Sequence, residues 1–381
     1  MGNGIGRKMN GAVRDCQVLI LAGGMGTRLR PLSIYTPKAL SPVCNLSLLN
    51  RMLTELQSAG IGQATITLPP MGDEIASRAK AAAPRGFDLV VELQIGAFAG
   101  TVPAVRRLLD RKDSPVLVIY GDSLLSVDFA ALLEFHSGLK MNGAGATILS
   151  HRPLDLRLEE AAGRTLYGVM AIDPCNRVIK FVEKPEIAEI APGFDTANAA
   201  VFVCERALFL DDRFSAARDF SYEVFQPAVS ENFVPIYACD IGNGFRYDIG
   251  SIRRFYDVNM DLLSGRLPGR IPGKQSLPGV WVGNGNSSNG RLEPPVLLGD
   301  SLRLSADVRI GPDAVVGDGC IIGAGATICR SIVMEGCVIG AGAIVDSCIL
   351  GPYSVIEDNQ RLPKHTVIGA YGVLGSASWH S

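Results

Sequence analysis

The sequence predicts an α/β fold with a mostly parallel sheet, followed by a left-handed parallel β-helix. Three observations carry this. Short β-rich runs alternate with helical stretches from residue 16 to 264. A stretch rich in Gly, Pro, Asn and Ser then fills 265–295. From 296 to 373 aliphatic residues recur every six positions. The chain has 381 residues, a length that suits two or three domains, and 47 % of them are hydrophobic, enough for sizeable cores. Its 43 glycines and 22 prolines suit a fold full of tight turns.

The first region opens on the apolar run VLILA (18–22), a buried strand. SLLNRMLTELQSAG (47–60) has apolar residues at helical spacing and ends on Gly60, a natural C-cap. ATITL (64–68), the helical DEIASRAKAAA (73–83), LVVEL (89–93), TVPAVRRLLD (101–110) and VLVIYGD (116–122) continue the alternation. Alternation of this kind builds a parallel sheet flanked by helices, whose ligands bind at the carboxyl ends of the strands. Residues 265–295 read as a linker, because Gly and Pro punctuate rather than propagate regular structure.

In the last region Leu298, Leu304, Ile310, Val316, Ile322 and Ile328 are spaced by six. The series slips by one residue to Val333, Ile339 and Val345, and again to Leu350, Ile356, Leu362 and Ile368. Each hexad is expected to form one short face of a triangular coil, with its aliphatic residue pointing inward.

The 36 Lys and Arg nearly balance 38 Asp and Glu, which argues against a chain that coats nucleic acid. No apolar run approaches the ~20 residues of a membrane span. Nine scattered cysteines without a C-x-x-C pair speak against a metal cluster or a disulfide framework, and suggest reduced thiols in the cytoplasm. Residues 1–15 form a polar tail without the apolar stretch of a signal peptide, and Gly6 stands where a myristoylation signal needs Ser or Thr. Of the four histidines, only His365 lies within the repeats, too little for an acyltransferase that uses a histidine base in its coils.

The densest chemistry lies in LILAGGMGTRLRPLSIYTPKAL (19–40). A strand runs into Gly23-Gly24-Met25-Gly26-Thr27, a loop bare enough for its backbone to approach phosphates, and Arg28 and Lys38 follow. It is neither a G-x-G-x-x-G opening a helix nor a loop closed by G-K-[ST]. This segment resembles the signature of the sugar-1-phosphate nucleotidyltransferases, G-G-x-G-T-R-L-x-P-L-T-x-x-x-P-K-P. It departs only at Ser33 and Ala39. The resemblance continues through YGDS (120–123), YGVM (167–170), FVEKP (181–185), NAAVFV (198–203) and YDIGS (247–251). With the hexad tail, the layout is similar to that of GDP-mannose pyrophosphorylases.

The resemblance implies a Rossmann-like nucleotidyltransferase sheet and a reaction in which a sugar-1-phosphate oxygen attacks the α-phosphorus of a nucleoside triphosphate. Leu21, Ala22, Gly23, Gly24, Gly26, Thr27, Arg28, Ala99 and Gly100 would bind the nucleotide. Arg28 and Lys38 would be catalytic, Arg28 at the leaving pyrophosphate and Lys38 at the α-phosphate. Asp122 and Asp248 would hold Mg²⁺, a hard cation that keeps several waters. Gly168, Glu183, Lys184 and Asn198 would bind the sugar phosphate.

GTP and mannose-1-phosphate are the substrates the layout favours; another sugar or a cyclitol phosphate is the alternative. Two departures fall where the family approaches base and sugar. Phe98 replaces a small hydroxyl residue in Gly96–Gly100, and Ala200 replaces a glycine after Asn198-Ala199. A non-catalytic regulatory subunit of the same fold would have lost some charged residues, whereas Arg28, Lys38, Asp122, Lys184 and Asp248 are all present. Partners are expected to be these two substrates and a second copy bound through the β-helix.

Overall fold

A computed structural model describes residues 15–70, 73–94, 100–112, 114–152, 160–161, 163–209, 212–286 and 290–375. The polar tail up to 14 and Gly96, Ala97, Phe98 and Ala99 lie outside these residues. The chain divides into two compact units. One comprises 1–24, 52–121 and 125–246, and the other 25–51, 122–124 and 247–381.

The first unit is built on one sheet. Its elements in chain order are β1 (Gln17–Leu21), α1 (Leu48–Ser58, whose first turn belongs to the other unit), β2 (Gln63–Leu68) and α2 (Asp73–Ala81). Then come β3 (Asp88–Leu93), α3 (Thr101–Arg111), β4 (Val116–Tyr120), α4 (Phe129–Gly138) and β5 (Ala146–His151). The series ends with β6 (Gly168–Ile172), β7 (Val178–Glu183), β8 (Thr196–Cys204) and β9 (Ile236–Asp240). Strands β4, β1, β2 and β3 pair in parallel in that order, which is the Rossmann-like arrangement the alternation predicts. The sheet continues through β8, antiparallel to β4, β5 and β6. Strand β9 adds to β5 in parallel, and β7 to β6 antiparallel.

Local chemistry explains the helices. Asp73 and Glu74 open α2 and Arg78 and Lys80 close it, each charge set against the opposite helix pole. In α3, Pro103 sits in the first turn, where a missing N–H costs nothing, and Val102, Val105, Leu108 and Leu109 turn into the core. That core joins Leu19, Val118, Ile148, Met170, Phe202 and Phe225 across the sheet.

The second unit is dominated by parallel coils. Leu298 pairs with Val316, Val316 with Val333, Val333 with Leu350 and Leu350 with Ile368. A second sheet stacks Leu304, Ile322, Ile339 and Ile356. A third stacks Leu292, Ile310, Ile328 and Val345. Three hexads therefore make one coil of eighteen residues, and each one-residue slip is a coil of seventeen. The hexad aliphatics form a single buried cluster with Ile368 at its margin, as the period predicts for a β-helix. Gly317 and Gly323 are bare because the backbone of the next coil passes there: a Cβ would lie 2.5 Å from the amide nitrogens of Glu335 and Ala341.

The segment read as a linker is largely structured. Lys274–Leu277 and Val280–Val282 form a hairpin, and Val280–Val282 runs parallel to Val296–Leu298, so the stack begins sixteen residues before 296. Asn286 ties this corner together: it donates to the carbonyls of Gly283 and Gly299 and accepts from the amide of Leu302.

Helix α5 (Ile252–Leu263) belongs to this unit and starts on Ser251, whose hydroxyl accepts from the amide of Arg254 at 3.3 Å. The buried Asn259 of α5 accepts from the amide of Cys44 at 2.7 Å, tying the 25–51 segment to the helix.

Candidate active site

In the second unit, Gly26 has φ 56°, the left-handed conformation that glycine adopts without cost, and opens the single turn Thr27–Leu29. Its carbonyl accepts from Ser33 Oγ at 2.7 Å. Serine in place of the family threonine thus keeps the hydroxyl in use. Arg28 and Thr27 are exposed.

Lys38 follows Pro37 in a second short turn, and its ammonium is nearly enclosed. Nζ lies 2.9 Å from Oδ1 of Asp248 and 3.1 Å from Oδ2 of Asp122. Asp248 also accepts from Nη1 of Arg254 at 3.4 Å, and Asp122 from Ser123 Oγ at 3.1 Å. Gly250 leaves room for this: a Cβ there would sit 2.7 Å from Oδ2 of Asp248 and 3.2 Å from Nη2 of Arg28. Four residues named from the sequence, Arg28, Lys38, Asp122 and Asp248, therefore converge. Arg254 joins them unforeseen, because no motif marked the first turn of α5.

The two carboxylates meet at one position that already holds a cationic nitrogen. Two carboxylates supply hard oxygen donors of the kind a small divalent cation takes while keeping most of its shell as water and substrate oxygens. Among the described residues no larger group of His, Cys, Asp and Glu is placed to hold a metal. The residues present fit such a cation.

In the first unit, β1 ends at Leu21 and Ala22, whose amide donates to Thr67 at 3.1 Å, and the chain leaves the sheet at Gly23. A Cβ on Gly23 would overlap the side chain of Gln94, whereas Gly24 is open and exposed. Gly100 caps α3, and its missing side chain makes room for Arg218, whose carbonyl lies 2.4 Å from where a Cβ would be.

Gly168 and Glu183 face each other across β6 and β7, with Glu183 Oε2 2.7 Å from the position of an absent Cβ. Burial pushes the Glu183 carboxyl above its usual range, and Lys184, with Nζ at 3.5 Å, opposes that rise. Lys184 has φ 49° and donates its amide to the carbonyl of Tyr167 at 2.9 Å. Asn198 is buried and its Oδ1 accepts from the amide of Ala200 at 2.8 Å. Ala200 has φ 56°, so the methyl that replaces a glycine hydrogen sits on a left-handed backbone.

Next to this group are two residues the sequence did not mark, His151 and Arg246. His151 ends β5 in register with Ala197 and packs edge-on against Tyr167, with ring centroids 5.4 Å apart. Arg246 lies over the same tyrosine at 5.6 Å. Burial and the neighbouring Arg246 pull the His151 imidazole down to about 4, against the opposing pull of Asp240.

The described residues thus include a bare glycine loop, a lysine held by two aspartates, and a half-buried Glu183 with an exposed Lys184 beside bare Gly168. Residues 17–265 match the family described as Nucleotidyl transferase, and residues 292–376 the GMPPB C-terminal domain. The chain belongs to the sugar-1-phosphate nucleotidyltransferase family. It is 30 % identical to the mannose-1-phosphate guanylyltransferase catalytic subunit beta of Drosophila pseudoobscura pseudoobscura, over 93 % of this chain and 88 % of that one. It is 29 % identical to a mannose-1-phosphate guanylyltransferase of Mycobacterium tuberculosis, over 68 % of this chain and 67 % of that one. A UTP–glucose-1-phosphate uridylyltransferase of Synechocystis sp. is 25 % identical over 89 % of this chain and 88 % of its own.

Proposed function

We propose that this enzyme joins GTP to a mannose-1-phosphate-like sugar phosphate, with Mg²⁺, giving a nucleotide sugar and pyrophosphate. The observation that carries the reading is Lys38 held between Asp122 and Asp248. The guanine and mannose assignments rest on the names of the relatives and on the layout. A sugar-1-phosphate oxygen forms a bond to the α-phosphorus, the bond to the α–β bridging oxygen breaks, and pyrophosphate leaves with that electron pair. Both substrates are polyanions, so catalysis consists mostly of positioning and charge neutralisation.

In this reading the loop from Leu21 and Ala22 through Gly23, Gly24, Gly26 and Thr27, with Ala99 and Gly100, receives the nucleotide. Arg28 neutralises the leaving pyrophosphate. Lys38 carries its ammonium to the α-phosphate, where charge grows in the transition state. Asp122 and Asp248 would hold Mg²⁺, which, when bound, draws negative charge from the phosphate oxygens. On the sugar side, Gly168 keeps backbone accessible, Glu183 and Asn198 bond hydroxyls, and Lys184 takes the sugar phosphate as a point charge. Self-association belongs to the same reading. Its support is an exposed aromatic cluster on the second unit, where Tyr371 stacks on Tyr353 at 5.3 Å and meets Tyr35 edge-on at 6.1 Å.

The test is pyrophosphate release with each of the four ribonucleoside triphosphates and a panel of hexose-1-phosphates. Fastest release with GTP and an aldohexose-1-phosphate is expected, and no release with any pair overturns the reading.

A further inference from the structure

Two buried nitrogens beside the sugar-binding residues have nothing to bond. His151 is 8 % exposed, and its Nε2 has no hydrogen-bond partner; the buried Nε of Arg246 has none either. No carboxylate among the described residues pairs with the Arg246 guanidinium. Leaving a buried polar group without a partner forfeits the bonds it made to water, the more so when it is charged, so two such groups on one tyrosine are an expensive arrangement. Orphaned groups in a native site are explained most directly by an absent ligand that supplies the acceptor.

The position of these groups says which ligand. Tyr167, the ring both residues touch, immediately precedes Gly168, and its carbonyl accepts from the amide of Lys184. His151 pairs with Ala197, next to Asn198. Strand pairing puts Val169, Ala197 and His151 on one face, and Gly168 with Glu183 on the other. The His151–Arg246 group thus flanks the sugar-binding group across the strand ends rather than merging with it. A guanidinium takes a carboxylate or phosphate far better than a hydroxyl, through several parallel N–H bonds. The imidazole beside it is neutral at physiological pH and can donate one bond without adding charge.

We propose that His151 and Arg246 form a second anion subsite, which selects a sugar-1-phosphate bearing a further negative group on the ring, a carboxylate or a second phosphate. The proposal rests on the sugar-1-phosphate reading above and narrows its sugar.

Pyrophosphate release with GTP is compared for mannose-1-phosphate, glucose-1-phosphate, glucuronic acid-1-phosphate and glucose-1,6-bisphosphate, using the full-length enzyme and the variants Arg246→Gln and His151→Gln. Taking the ratio of kcat/KM for two substrates within one preparation cancels any difference in folded fraction. The expected result is at least a tenfold preference for one acidic sugar over both neutral ones, falling toward unity in Arg246→Gln and severalfold in His151→Gln. Preference for glucuronic acid-1-phosphate identifies a carboxylate, and preference for the bisphosphate a phosphate. If neutral sugars are preferred and Arg246→Gln leaves the ratio unchanged, the subsite is wrong while the family reaction stands. If no sugar-1-phosphate of either kind is used, the reaction and the subsite fall together.

Discussion

The ammonium of Lys38 lies 2.9 Å from the carboxylate of Asp248, a residue 210 positions further along the chain. A buried ion pair of this kind is a poor way to gain stability, because desolvating both charges offsets their attraction. It is a good way to hold charged groups in place for an anionic substrate.

Asp122→Asn and Asp248→Asn keep the side-chain shape and remove one charge from the proposed cation site. Each is expected to lower kcat by at least ~100-fold, the scale of losing a main electrostatic group. Steady-state pyrophosphate release titrated with Mg²⁺ measures this. Near-normal turnover in Asp248→Asn at low Mg²⁺ removes the aspartate from the cation site.

Ala200 occupies a left-handed conformation that favours glycine. Ala200→Gly is expected to stabilise the protein by about 1 kcal/mol, since the strain relieved exceeds the added chain entropy. Urea unfolding of the two proteins reads the difference directly. Destabilisation by the glycine would mean that the methyl is well packed rather than tolerated.

The lowered pKa of His151 makes stability depend on pH. Its imidazole takes a proton near 6.5 when unfolded but only near 4 when folded, because it is buried and lies beside Arg246, with Asp240 opposing. Its contribution is therefore complete above about pH 6.5 and is lost as the pH falls toward 4, by up to ~3 kcal/mol. His151→Gln should flatten that part of the stability curve relative to the parent. Identical curves between pH 4 and 7 would place the imidazole in water.

Adjacent isoleucines test the phase of the hexads. Ile322 is fully buried and Ile321 is 39 % exposed. Ile322→Ala is expected to cost about 2–5 kcal/mol, and Ile321→Ala less than ~1, by thermal or denaturant unfolding. Equal costs would contradict the inward assignment.

What the sequence revealed and what it hid follow from one distinction. A period reports burial directly, so the hexads identified the core of the β-helix from Leu298 to Leu362. Composition does not report geometry: the Gly, Pro and Asn of residues 265–295 suit a tight coil corner as well as a loose linker, and the hairpin at 274–282 was read as the latter. Motif order brought Arg28, Lys38, Asp122 and Asp248 to notice, and the structure gathers them. Arg254, His151 and Arg246 carry no motif. What sets them apart is their neighbours, Asp248 for the first and Tyr167 for the other two, and a neighbour distant in sequence is visible only after folding.

The proposed reaction transfers a nucleotidyl group, not a phosphoryl group, to a sugar phosphate. Incubating the enzyme with Mg²⁺, a sugar-1-phosphate and GTP labelled either at the α- or at the γ-phosphorus tests it directly. The expected result is α-label in a nucleotide sugar and γ-label only in pyrophosphate. Label from the γ-position in a sugar product, or no labelled sugar nucleotide with any sugar phosphate, would contradict it.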